Sequence, residues 1–174
     1  MEVIKVVTGV LDENCYVLKQ DDACLVVDPG DDYSKIKEAI GECKVLGVLL
    51  THSHFDHIGA LRNFLSKRSV KIFKKSNVLE QAYQLGPFSF TVLFTPGHSK
   101  DSISFYFEDA NLMFVGDFIF KNSIGRCDLP GGDEKEMKQS ISNIRAYDKG
   151  IVLYPGHGDN TNLGEELKSN PYFS

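Results

Sequence analysis

Residues 52–57 read HSHFDH, placing three histidines and an aspartate within six positions of a 174-residue chain that has five histidines in all. Neutral imidazole nitrogens and carboxylates are borderline-to-hard ligands, so this density points to a divalent cation such as Zn, Mn or Fe. Three imidazoles in one turn would repel one another if protonated, and as plain surface groups they are an uneconomical choice. The remaining histidines fit the same chemistry: His98 stands in FTPGHS and His157 in LYPGHG, each after a Pro-Gly pair that ends a strand rigidly, and Asp117 closes FVGD. Singly, Asp56 reads equally well as a helix N-cap, and His98 or His157 as a loop hydrogen-bonder. Jointly, five imidazoles and two carboxylates at strand ends read as a metal site at one rim of a sheet, where rigid strands fix the ligands and loops leave the mouth open.

The elements around these residues follow from pattern. KVLGVLLT, just before the cluster, is a continuous apolar run of strand length, the look of a strand buried on both faces. His52 and His54 are two apart at its carboxyl end, so extended backbone sends both side chains to the same side, as two ligands of one cation require. Asp56 and His57 follow at the amino end of HIGALRNFLSKR, whose Ile58, Leu61 and Leu65 fall at helical spacing, and they face a second point a short distance away. One strand-to-helix turn thus supplies two adjacent cation positions. Upstream, EVIKVVTG, NCYVLKQ and ACLVVD predict an antiparallel meander, and DPGDDYSKIKEAIG a helix that opens on acidic residues, carries Ile36, Ala39 and Ile40, and closes at Gly41. Downstream, FSFTVLFT, SISFYFE, NLMFVGD and GIVLYPG predict strands and DEKEMKQSISNIRAY an amphipathic helix; the polar tail EELKSNPYFS predicts one or two helical turns. The pattern gives a layered α/β domain but does not separate one sheet from two.

Composition sets the outer limits. A chain of 174 residues, 42% hydrophobic, suits one domain spanning 1–174 with a real core. A net charge of -5 argues against a protein that neutralises a phosphate backbone, so no nucleic acid partner is expected. The four cysteines, Cys15, Cys24, Cys43 and Cys127, form no CxxC pair and sit mostly in apolar runs, which suits a reducing compartment; a cytoplasmic location is the expectation. No signal-length apolar start and no run of roughly 20 apolar residues is present, so no membrane partner is expected.

Taken together, THSHFDH at 51–57, PGH at 96–98, GD at 116–117 and PGHG at 155–158, with NCYVL near the start and VVDPG at 26–30, resemble the metallo-β-lactamase fold hydrolases, and among them the short glyoxalase II-like thioester hydrolases. The resemblance runs through nearly the whole chain. It implies an αββα sandwich, two mixed sheets face to face with helices outside. It also implies two divalent metal ions, most simply Zn with Fe or Mn as alternatives: His52, His54 and His98 on the first, Asp56, His57 and His157 on the second, and Asp117 bridging both. Two such cations about 3.5 to 4 Å apart bring a shared water toward a pKa of about 7 and polarise a carbonyl. A thiolate leaves without a dedicated general acid, so no Ser, Cys or His nucleophile set is needed. Asp56 is a candidate to accept a proton from the bound water, with Asp117 the second catalytic carboxylate. By the same resemblance Asp28 is an aspartate that orients a ligating histidine, beside the alternative of a plain turn residue, and Arg126 a basic residue facing substrate, beside the alternative of an ion pair with Asp128. Gly59 permits close helix approach or simply starts a poor helix. Cys127 has no visible base and is read as incidental.

Two departures from the family stand out. Full-length glyoxalase II carries a further helical domain that supplies most glutathione contacts, and this chain ends shortly after PGHG. SKDSIS replaces the Thr-Pro-Gly turn that many relatives show after PGH. The expected function is dinuclear hydrolysis of a thioester such as an acylated glutathione, or of another small ester or lactone. Its competitors are a mono-iron persulfide dioxygenase of the same fold, a tRNA-processing nuclease, for which length and basic surface are lacking, and a non-enzymatic metal-binding or redox module. Residues alone give no oligomeric state.

Overall fold

A computed structural model of the chain describes residues 1–65 and 69–173. Two sheets lie face to face. The first has five strands in the order β1-β2-β3-β4-β5. β1 (Glu2–Thr8), β2 (Glu13–Gln20) and β3 (Ala23–Val27) form the antiparallel meander, and β4 (Lys44–Leu49) and β5 (Lys71–Phe73) continue it in parallel. The second is built from β6 (Ala82–Leu85), β7 (Phe88–Phe94), β8 (Ile103–Phe107) and β9 (Leu112–Gly116), all antiparallel. A small separate hairpin follows, β10 (Ile119–Phe120) with β11 (Ser123–Ile124). β12 (Val152–Pro155) then joins the second sheet parallel to β9, and β13 (Thr161–Asn162) edges it, for the order β13-β12-β9-β8-β7-β6.

Period-two alternation sorts the side chains into layers. Tyr16 and Leu18 of β2, Leu25 and Val27 of β3, and Phe114 of β9 point between the sheets, where they meet Phe90, Phe105 and Phe107. Cys15 and Val17, Cys24 and Val26 point outward and are covered by Ile36 and Ile40 of α1 (Tyr33–Ile40) and by Phe64. On the opposite side Met113, Val115 and Leu153 meet Met137, Ile141 and Ile144 of α4 (Glu134–Ile144) and Leu163 of α5 (Leu163–Ser169). The strands are apolar on both faces because each sheet is covered twice, giving the αββα layering.

Caps fix the helices. Asp133 begins α4 by accepting from the backbone N–H of Lys135 at 2.7 Å and Glu136 at 3.0 Å, and Asn162 begins α5 by accepting from Glu165 at 2.9 Å. Asp32, in contrast, precedes α1 in a left-handed conformation with no side-chain cap, and Gly41 closes that helix at φ 60°. α5 gives the tail more substance than its polarity suggested, since Leu163 and Glu166 are buried.

The helix expected over HIGALRNFLSKR is interrupted. It forms two single turns, α2 (Phe55–Ile58) and α3 (Arg62–Leu65), and its last part, 66–68, lies outside the described residues. The break has a tertiary cause: the Ala60 N–H turns to the carbonyls of Pro29 at 3.0 Å and Gly30 at 2.9 Å, and Leu61 closes only a tight bond to Ile58. Gly59 sits so close to the Gly30 carbonyl that a Cβ there would overlap it, so the close-approach reading of Gly59 is the one realised.

Candidate metal centre

β7, β9 and β12 run in the same direction, so His98, Asp117 and His157, which follow them, emerge at one rim of the second sheet. His52, His54, Asp56 and His57 come from the β4–α2 turn of the first sheet at the same rim. Backbone bonds lock the two halves: Ile103 N–H donates to the Thr51 carbonyl at 2.8 Å and Asn14 N–H to the Gly156 carbonyl at 2.7 Å. Asn14 Nδ2 reaches the Pro155 and Gly158 carbonyls at 3.0 and 2.9 Å, and the Tyr16 hydroxyl reaches Pro155 at 2.6 Å, which sews β2 to the PGHG turn. Gly116 turns the chain in the left-handed region at φ 52° with its α-carbon against the Thr51 side chain, a place only glycine fits, and this aims Asp117 across the seam.

The seven residues singled out from sequence come together as two groups. His52, His54 and His98 form one and Asp56, His57 and His157 the other, each with its ligand atoms within 4.8 Å of one another. In the first, His54 Nδ1 lies 3.1 Å from His52 Nε2 and 2.9 Å from His98 Nε2. In the second, Asp56 Oδ2 lies 3.2 Å from His157 Nε2 and 3.7 Å from His57 Nε2. Asp117 spans them. Its Oδ2 is 3.5 Å from His98 Nε2 and 3.7 Å from His157 Nε2, and its Oδ1 is 3.4 Å from His57 Nε2.

Hydrogen bonds behind the rings set the tautomers. His98 Nδ1–H donates to the Arg126 carbonyl at 2.7 Å and His157 Nδ1–H to the Leu11 carbonyl at 3.0 Å, so both Nε2 lone pairs face the centre. Asp28 accepts from His57 Nδ1 at 3.0 Å, from the Thr51 N–H at 2.7 Å and from the Thr51 hydroxyl at 2.5 Å. With its hydrogen spent on Asp28, Thr51 Oγ1 accepts from His52 Nδ1 at 3.1 Å. One carboxylate therefore orients a histidine in each group. Asp28 also lies near both His52 and His57 as a third ligand-like set, but its oxygens are already taken by these donors. It holds φ 46°, an uncommon conformation for a non-glycine residue.

A cation fits what is left over. His57 Nε2 and Asp117 Oδ1 are buried and have no hydrogen-bond partner among the described residues. They stand 3.4 Å apart, longer than the roughly 2.9 Å of a good N–H···O bond, as two groups do when they share a third atom. Burial, then the nearby His57, holds His52 well below the ordinary imidazole pKa, and burial with His98 lowers His54; both are neutral donors. Burial also opposes charge on His57, but the Asp117 and Asp28 carboxylates on its two sides outweigh it and raise its pKa. Burial would raise the Asp117 carboxyl, yet the proximity of His57 and of the neighbouring histidines holds it far below the usual range. Five imidazoles and two carboxylates form a donor set of charge about −2, suited to concentrated positive charge.

Other expected residues have other partners. The Arg126 guanidinium is exposed and pairs with Asp128 through two bonds of 2.7 Å, while its carbonyl serves His98. Cys127 is half-buried, and burial together with Glu134 and Asp128 pushes its thiol up, away from nucleophilic character. Glu13 went unnoticed in the sequence. It is buried under the second group, 3.8 Å from His57 Nδ1, accepts from the Thr8 hydroxyl at 2.8 Å, and is pushed by burial and Asp28 to a pKa of about 9. Its only sequence signal is an acid directly before the buried strand NCYVL.

Comparison with known proteins places this geometry. A family model described as the metallo-beta-lactamase superfamily matches residues 8–82 and 78–157. The chain is 34% identical to a probable metallo-hydrolase, YqgX of Bacillus subtilis, over 95% of this chain and 94% of that protein. It is 29% identical to the hydroxyacylglutathione hydrolase GloC of Haemophilus influenzae, over 93% of each. Among solved structures, the BLEG-1 B3 metallo-beta-lactamase superposes with a TM-score of 0.94 at 30% identity, over 99% of this chain and 100% of that one. TTHA1623, solved in a di-iron-bound form, superposes with a TM-score of 0.86 at 29% identity, over 98% and 100%.

Proposed function

The chain belongs to the metallo-beta-lactamase superfamily, and from that membership we propose that this metallo-hydrolase cleaves small thioesters with two divalent cations, most simply zinc, held by His52, His54, His98 and by Asp56, His57, His157 with Asp117 between them. The observation that carries the reading is the direction of the lone pairs. His98, His157 and His57 each spend the Nδ1 proton on a fixed acceptor outside the centre and present Nε2 to it, and the buried His57 Nε2 and Asp117 Oδ1 face each other without a partner. A site whose titratable side chains are all turned inward as ligands has no spare imidazole to act as acid or base.

When bound, the cations lower the pKa of water and polarise a carbonyl. The chain's own work is to hold them. Asp28 fixes His57 and, through Thr51, His52; the Arg126 and Leu11 carbonyls fix His98 and His157; Asp117 sets the spacing of the two groups. Asp56, whose carboxylate is half-buried beside His157, is the one carboxylate placed to take up a proton from an attacking water. Thioesters suit such a site because a thiolate departs without a proton donor, and the one neutral carboxyl nearby, Glu13, is buried behind His57. The hydroxyacylglutathione hydrolase GloC supports the same substrate class at 29% identity. The alternative of one iron and a persulfide substrate leaves the complete second group, Asp56, His57 and His157, without a use.

Metal analysis of the purified protein, paired with turnover of S-lactoylglutathione, other thioesters, small esters and lactones, β-lactams and glutathione persulfide, tests this. Two equivalents of metal with thioester hydrolysis are expected. One iron with oxygen uptake on the persulfide would replace this reading with the dioxygenase.

A further inference from the structure

Glu13 opens β2 and is 1% exposed, yet it holds no place in the ligand set. Its Oε2 accepts from the Thr8 hydroxyl at 2.8 Å. Its Oε1 is buried without a hydrogen-bond partner among the described residues and lies 3.8 Å from His57 Nδ1, too far to take the proton that Asp28 accepts at 3.0 Å. Leucine would fill the same place without stranding a polar oxygen, and such departures from core composition gather at functional sites.

The contacts of Glu13 fall on the second group. Behind its carboxyl, the α-carbon of Gly30 packs so closely against Glu13 Oε2, the Thr8 hydroxyl and the Asp56 carbonyl that a Cβ there would overlap all three. Thr8 Oγ1 in turn accepts from the Asp31 N–H at 3.0 Å, which closes the stack. The backbone of Glu13 bridges to His157, and Leu11, two residues earlier, gives its carbonyl to the His157 ring. Glu13 thereby meets His57 directly, His157 through the backbone and Asp56 across Gly30. Its link to the first group is indirect: the His52 ring lies 4.1 Å from that of His57, centroid to centroid.

We propose that Glu13 is a positioning residue for the second cation alone, a strut between β1, the Gly30 turn and α2 that fixes where His57, Asp56 and His157 converge. Asp28 aligns one histidine in each group and serves both positions; Glu13 distinguishes between them. The inference rests on the two-cation reading, since only then is there a second position to set. It acts through His57 and α2 by reach and by the bond from Thr8, with no contact to substrate.

The test is a Zn titration of the full chain in competition with a chelating dye, with the imidazole nitrogen signals of His54 and His98 reporting the first position and that of His157 the second. Glu13→Ala weakens the second position about tenfold, the lower end for losing such a partner because Asp28 still holds His57, and the first by less than about twofold. Glu13→Gln keeps the length and an acceptor for Thr8, and it restores the second position to within about twofold of wild type. Thr8→Val releases the carboxyl without removing it; it weakens the same position by about threefold and serves if Glu13→Ala does not fold. Weakening of both positions alike, of the first alone or of neither overturns the inference, as does a Glu13→Gln protein no tighter than Glu13→Ala. A wild-type chain that takes up one equivalent only refutes the two-cation reading instead. The metal-free spectra then still decide the strut: in Glu13→Ala the His57 ring signals move while those of His98 stay, and unmoved His57 signals overturn it.

Discussion

His57 donates through Nδ1 to the Asp28 carboxylate at 3.0 Å, and the same carboxylate holds Thr51, whose hydroxyl lies 3.1 Å from His52 Nδ1. A residue from the end of β3 therefore aligns one histidine in each group. Asp28→Asn keeps the shape but offers an amide N–H where acceptors are needed. Metal affinity falls about 10- to 100-fold at both positions, the usual scale for losing such a partner. Competition with a chelating dye measures it; unchanged affinity at both positions would show that Asp28 does no more than shape a turn.

Asp117 is the side chain that reaches both groups. Asp117→Asn is expected to leave no more than one tightly held equivalent of metal and to cut kcat by about 10²- to 10³-fold, the worth of a few kcal/mol of charge stabilisation. Elemental analysis and kinetics on the same sample check it. Two retained equivalents with full turnover would remove Asp117 from the centre.

Gly59 and Gly30 touch backbone to backbone beneath α2. In Gly59→Ala the added methyl overlaps the Gly30 carbonyl, and overpacking of this kind costs about 1 to 3 kcal/mol. Because α2 carries Asp56 and His57, the thermal midpoint falls and the second metal is lost before the first. A variant with wild-type midpoint and metal content would mean that the two backbones part without cost.

Glu166 is buried 44 residues from the β10–β11 turn and accepts from the Asn122 N–H at 2.8 Å, from Asn170 Nδ2 at 2.7 Å and from the Thr161 hydroxyl at 2.5 Å. Glu166→Ala strips the acceptor from the Asn122 N–H and the Thr161 hydroxyl and leaves Asn170 Nδ2 only its bond to the Ser123 carbonyl, a loss of about 2 to 4 kcal/mol read by urea unfolding. Metal stoichiometry at a temperature where the variant is folded stays at the wild-type value, which separates this anchoring role from the centre.

Chelation reaches beyond turnover. Four of the seven side chains at the centre belong to the first sheet's turn and three to strand ends of the second, so a bound cation is shared by the two halves of the core. Free metal at 100 times its dissociation constant adds about 2.7 kcal/mol per site. Stripping the protein is expected to lower its melting temperature by several degrees, with recovery on adding Zn or Mn; an identical melting curve with and without metal would separate the cations from the fold.

Much of this was legible in the residues, for definite reasons. KVLGVLLT, NLMFVGD and GIVLYPG are apolar on both faces because each sheet is covered twice, and their polar ends had to be the rim. The number of sheets was not legible, since alternation assigns a face to Tyr16 or Phe114 without saying which sheet lies opposite. β5, β10, β11 and β13 are two or three residues long, too short to show a period. The break after Ile58 comes from Gly30, distant in sequence, and local spacing through Leu61 and Leu65 carries no trace of it. Arg126 satisfies Asp128 two residues away, and only geometry shows that its carbonyl, the part common to all residues, is what touches His98.

Asn14 and Tyr16, on the second strand, are tied to Pro155 and Gly158, 139 to 144 residues later. During synthesis the early hairpin leaves the ribosome long before its partner exists, and the final imidazole follows only with that partner. The first group is complete in sequence by His98, whereas the second waits for the chain's last strand to reach its first hairpin, so the two cation positions differ in how much of the polypeptide each one needs.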